Sequence, residues 1–207
     1  MSTTFYLVRH GIKKRDIGDV PLTPEGSRQA ELTARHFASA SYDIHRIVAS
    51  PLRRAQETAQ AIASLTQSDV TEDARLRERA NWGDVPEQTF EQFVDLWNQC
   101  TADPEFVPPV GDSAKQAGTR LASLLNELAA QEPPGSHIVL ATHGGLITDF
   151  LVQTFSEEEL NRWHPNFLVM QNRLVPECSI TKLIYHDGQY TLESFASAAH
   201  LTENNEK

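Results

Sequence analysis

Two apolar runs in this chain end in histidine followed by glycine. Phe5-Tyr6-Leu7-Val8 leads into Arg9-His10-Gly11, and Ile138-Val139-Leu140-Ala141-Thr142 leads into His143-Gly144-Gly145. A neutral imidazole can attack phosphorus, and a guanidinium beside it can hold phosphate oxygens. Gly11 lets the backbone come close. A third run, residues 44–49, precedes Ser50-Pro51-Leu52-Arg53-Arg54. Ser50 as cap and Pro51 as first helical residue would put Arg54 in the first turns of a helix. Unpaired N–H groups and the positive dipole end there add to the pull of a guanidinium on an anion. Arg53 points about 100° away round the helix axis, so one of the two arginines can face the pocket and the other is expected to be solvated. Each motif alone also fits a strand that ends in surface polar residues.

These groups need a scaffold that brings them to one edge. Apolar runs of this kind suit strands buried on both faces, and ligands collect at the carboxyl ends of such strands in open α/β sheets. Thr23-Pro24-Glu25 predicts a helix start, running to about residue 40, and Asp112-Ser113 caps a helix to about residue 131 with Leu121, Leu124, Leu125 and Leu128 in the core. A short strand is expected at 69–71 and a helix at 146–154. An antiparallel pair, 179–185 and 190–195, turns at His186-Asp187-Gly188-Gln189. The loop 12–20 carries Lys13, Lys14 and Arg15, which either add positive potential at the site mouth or form a solvated charge run. Residues 84–111, with a short helix at 89–99, fit a lid over the strand ends as well as an aromatic plug of a peripheral core. Glu78 between Arg77 and Arg79 reads by itself as an exposed salt-bridge cluster. His36, His45, His137, His164, His186 and His200 read as structural or exposed.

With 207 residues, a single large domain is the default. Eighteen Lys and Arg against 28 Asp and Glu give a net charge of −10, which disfavours nucleic-acid and anionic-membrane partners. An anionic substrate therefore requires a locally positive pocket. Cys100 and Cys178 suit free thiols in a reducing compartment. No signal-peptide core or membrane-length apolar run is evident, so the expected location is cytoplasmic.

With Arg9-His10-Gly11, the run from Ser50 through Arg53-Arg54-Ala55-Gln56-Glu57-Thr58-Ala59, Leu76-Arg77-Glu78 and Thr142-His143-Gly144-Gly145 in this order, the chain resembles the histidine phosphatase superfamily, the phosphoglycerate-mutase-like proteins. The resemblance spans about residues 4–200. It implies an α/β three-layer sandwich with a mainly parallel sheet and an antiparallel edge, in one domain over 1–207 with 84–111 as candidate lid. By the same resemblance His10 is the nucleophile, Arg9, Arg54 and His143 hold the phosphoryl group with Gly144 beside them, and Glu78 is the proton donor. Thr23 matches a threonine that contacts substrate in some mutases. Many members continue the first motif with Glu-Thr and a later phosphate-binding Asn; here Ile12, Lys13 and Asp16 stand instead, and Asp16 is left out of the site because a carboxylate repels phosphate.

The implied activity is that of a phosphomonoesterase of the histidine acid phosphatase type, acting on a small phosphorylated metabolite through phosphohistidine, without metal or cofactor. Arg9, Arg54 and a protonated His143 would stabilise the transferring charge. An acidic optimum would suit a Glu78 that must carry its proton. The alternatives are a phosphoglycerate mutase, usually a longer chain that shields the intermediate from water, and a catalytically silent phosphate-binding regulatory protein.

Overall fold

The computed structural model describes residues 2–202. One six-stranded sheet is formed by β1 (Thr3–Arg9), β2 (Arg46–Ala49), β3 (Val70–Glu72), β4 (His137–Thr142), β5 (Ile180–His186) and β6 (Gln189–Ser197), in the order β3-β2-β4-β1-β5-β6. The first four strands run parallel, and β5 and β6 add the antiparallel edge. Period-two alternation divides the core. Phe5 and Leu7 face α4 (Ala114–Gln131) and α5 (Gly144–Thr154), whereas Tyr6 and Val8 face α1 (Pro24–Ala38) and α2 (Arg53–Thr66). This is an α/β sandwich of helices on both faces of a mostly parallel sheet.

Local chemistry accounts for most boundaries. The Thr23 hydroxyl accepts the Gly26 N–H, with Pro24 at the first helical position. Ser113 and Gln116 form a capping box at α4, and Thr89 and Gln92 form another that starts α3 (Phe90–Ala102). Asp187 and Gly188, with φ of 48° and 82°, make a two-residue hairpin turn, so β5 and β6 extend closer to the turn than the sequence suggests. Between α5 and β5 lie two short helices that the sequence pattern does not announce, α6 (Glu157–Asn161) and α7 (Phe167–Met170).

The start of α2 differs from the sequence expectation. The helix begins at Arg53, its cap position is Leu52, and Ser50 does not cap it. Ser50 is fully buried at the end of β2, and the Arg53 N–H is capped across space by Asp19 Oδ1 at 2.8 Å. Gly11 and Gly26 allow the first loop to touch α1: a Cβ on Gly11 would lie 2.5 Å from the Gly26 carbonyl oxygen, and one on Gly26 would lie 2.0 Å from that of Ile12. Cys100 and Cys178 are free and buried, and burial pushes the Cys178 thiol up to about 12. Among the described residues no helix is long and apolar enough to cross a membrane.

Candidate active site

Strands β1 and β4 are parallel neighbours with Arg9 opposite Thr142, so His10 and His143 leave the sheet at the same level. Their ring centroids are 5.1 Å apart. His10 Nδ1 lies 2.7 Å from the Gly11 carbonyl oxygen, which can only accept, so Nδ1 carries the proton. The lone pair is therefore on Nε2, and Arg54 Nε donates to it at 3.2 Å. Burial, then the Arg54 and Arg9 charges, hold His10 well below the ordinary imidazole range. The result is a neutral imidazole held in one orientation.

His143 is held low by the same causes, burial first and Arg54 next, and its Nε2 lies 2.8 Å from Ser50 Oγ. It is neutral in the unliganded protein. Burial and a guanidinium nearby both disfavour an imidazolium there while no anion is bound.

Three buried groups around His10 have no hydrogen-bond partner: Arg9 Nε, Arg54 Nη1 and His143 Nδ1. Leaving such a group unpaired costs about 1–3 kcal/mol, and an anion with several oxygens could satisfy all three. The rest of the Arg9 fork is fixed, Nη1 donating to the Val175 carbonyl and Nη2 to Glu177 Oε1 at 2.7 Å. The Cys178 N–H also donates to the Arg9 carbonyl at 3.0 Å.

Glu78 is not part of an exposed salt-bridge cluster. Its Oε2 accepts the Gly145 N–H at 3.0 Å and its Oε1 that of Arg79 at 3.1 Å. Of the flanking arginines, Arg77 reaches Asp84 at 3.5 Å, while Arg79 turns inward to Asp149 at 2.6 Å. Glycine at 145 is required by space, since a Cβ there would lie 2.4 Å from Trp97 Cη2 and 2.7 Å from Glu78 Oε1.

Arg9, His10, Arg54, Glu78 and Gly144 line one cavity of about 620 Å³, with His143 fully buried beside it. Lys13 and Arg15 also line it, whereas Asp16 is exposed outside and accepts the Ile17 N–H. Thr23 is not brought to the cavity. Its hydroxyl donates to the Ile12 carbonyl and accepts from Gly26, so capping uses both functions. Arg53 pairs with Glu57 on the exposed side of α2. Sequence reasoning missed Glu177, Gln171 and Asn172, which line the cavity from the stretch after α7, and the Ser50 contact to His143. No short motif marks the first three, and Ser50 ahead of Pro51 reads as a helix cap.

The family model of the histidine phosphatase superfamily (branch 1) matches residues 5–198. The chain belongs to this superfamily. A relative from Cronobacter sakazakii named probable phosphoglycerate mutase GpmB is 34% identical, covering 95% of this chain and 94% of its own. Among solved structures, the chain is similar to a mycobacterial glucosyl-3-phosphoglycerate phosphatase complexed with VO3, at 27% identity and a TM-score of 0.74 over 94% of this chain and 99% of that one. It is also similar to Entamoeba histolytica phosphoserine phosphatase in complex with 3-phosphoglyceric acid, at 26% identity and a TM-score of 0.69 over 96% and 99%.

Proposed function

We propose that this histidine phosphatase hydrolyses a small phosphomonoester through phosphohistidine at His10. The observation that carries the reading is the neutral His10 Nε2 surrounded by the unpaired Arg9 Nε, Arg54 Nη1 and His143 Nδ1. The Nε2 lone pair attacks phosphorus, the ester P–O bond breaks, and the leaving oxygen takes a proton from Glu78. Water then attacks the phosphohistidine, passing its proton to the Glu78 carboxylate; the P–N bond breaks and inorganic phosphate leaves. Charge on the equatorial oxygens is met by Arg9 and Arg54, fixed before substrate arrives. With the Ser50 hydroxyl donating to its Nε2, neutral His143 donates a hydrogen bond from Nδ1 to the phosphoryl group, and a bound phosphate dianion favours protonation of the ring. Residues 84–111 are the lid of this reading.

A mutase reading is favoured by the name of the Cronobacter relative. It uses the same first step but returns the phosphoryl group to an acceptor hydroxyl while excluding water. The test is rapid acid-free quenching with radiolabelled phosphomonoesters, wild type beside His10→Ala, counting inorganic and transferred phosphate separately. Label on wild type that turns over to inorganic phosphate, with none on the variant, is the expected result. Preferential transfer between phosphoglycerate positions would establish the mutase instead, and absence of both label and turnover would indicate a silent phosphate-binding protein.

A further inference from the structure

Helix α3 carries Phe90, Phe93, Val94 and Trp97 at i, i+3, i+4 and i+7, a single apolar face. That face does not enter the core. None of these residues belongs to the three core clusters of the described residues, and all four line the catalytic cavity. With Trp82 they form an aromatic series, with ring centroids 5.2 Å apart for Trp82 and Phe90, 6.4 Å for Phe90 and Phe93, and 6.0 Å for Phe93 and Trp97.

The series begins at the acid. Gly145 gives its N–H to Glu78 Oε2, and a Cβ there would collide with both Trp97 and Glu78 Oε1, so carboxylate and indole meet at one backbone position. Trp97 is fixed before any ligand binds. Its Nε1 donates to Asn172 Oδ1 at 3.0 Å, and the Arg79 guanidinium lies 3.8 Å from its ring centroid. An alcohol that leaves by taking the Glu78 proton has its oxygen next to this indole, and its carbon body has the aromatic series as a wall.

We propose that this series is the leaving-group subsite, and that the preferred substrates are phosphomonoesters of alcohols with an aromatic or extended apolar body instead of short polyols or sugar acids. The inference rests on the phosphatase reading and on Glu78 as its proton donor. The cavity volume of about 620 Å³ lies within the range that encloses a drug-sized ligand, far beyond a phosphoryl group alone.

The test compares kcat/KM for 2-phenylethyl phosphate and glycerol 1-phosphate, two esters of aliphatic alcohols that place similar demands on the acid. The expected preference for the phenylethyl ester is about tenfold, expressed in KM, from apolar burial and ring contacts. Phe93→Ala should cut that ratio by at least about threefold and Phe93→Leu should restore part of it, with thermal melting to show that both variants are folded. Equal or reversed preference in wild type, or an unchanged ratio in folded Phe93→Ala, overturns the proposal. Calorimetry with 2-phenylethylphosphonate and methylphosphonate, which have no ester bond to cleave, reads the subsite without turnover. Tighter binding of the phenylethyl compound, lost in Phe93→Ala, with no ester hydrolysed would sink the phosphatase reading and keep the subsite; turnover without preference would do the reverse.

Discussion

Replacing Glu78 by Gln preserves an acceptor for the Gly145 N–H but removes the acidic proton, so it separates positioning from proton transfer. Hydrolysis of alkyl phosphates is expected to fall by about 10²–10⁴-fold, while aryl phosphates, whose leaving oxygen needs little help, slow far less. Equal slowing across leaving groups would make Glu78 a positioning residue only. A second prediction concerns His10 and His143, both held below the ordinary value by burial. The unfolded chain takes up protons near pH 6.5 where the folded chain does not, so stability is unaffected above about pH 6.5 and is lost as pH falls from there toward the folded values. Urea midpoints at about pH 7.5 and about pH 5.5 should show this loss, and His143→Gln should flatten it; an unchanged slope would mean that His143 is not held neutral. The pairing of His10 with His143 was legible because two apolar strands ended alike. The neutrality of His143 was not, since it depends on how completely the site excludes water.

At the scale of elements, the buried Arg79–Asp149 pair joins the cavity wall to the core. Both side chains are 1% exposed, and Arg79 also donates to the Trp97 carbonyl and to Thr101 Oγ1 of α3. Burial pushes the Asp149 carboxyl up to about 7 against the downward pull of Arg79. Asp149→Leu alone strands the guanidinium and should cost about 3–5 kcal/mol of unfolding free energy. Arg79→Met with Asp149→Leu should cost clearly less than the two single changes added together, which a double-mutant cycle of denaturant unfolding would show; simple additivity would remove the coupling. Neighbours along the chain gave no sign of this pair, because Arg77-Glu78-Arg79 has the composition of a surface patch and Asp149 is seventy residues away. Elements governed by local rules were readable: Thr23 and Ser113 cap as their types suggest, and the leucines of α4 fall on its buried face. The start of α2 is not readable locally, because its cap comes from Asp19, in another segment.

Over the whole molecule, charge runs opposite to the site. The chain carries −10, yet the cavity is lined by Arg9, Lys13, Arg15 and Arg54 against Glu78 and Glu177. On the phosphatase reading, a phosphomonoester would approach a repelling body with an attracting mouth, and Lys13 and Arg15 would supply the attraction that lies outside the innermost cluster. The Lys13 ammonium is itself held below its usual range, by burial and then by Arg54 and Arg9, as expected of a cation kept among cations. Such fields act on encounter and are screened over about 10 Å at about 0.1 M salt. Raising ionic strength from about 0.05 M to about 0.5 M should accordingly lower kcat/KM for an anionic ester while leaving kcat nearly unchanged. The Lys13→Gln, Arg15→Gln double variant should begin with a lower kcat/KM at low salt and show a shallower salt dependence. A slope as steep as that of the wild type would mean that the loop cations are solvated charges with no part in drawing substrate in, and that Arg9 and Arg54 alone set the field at the mouth.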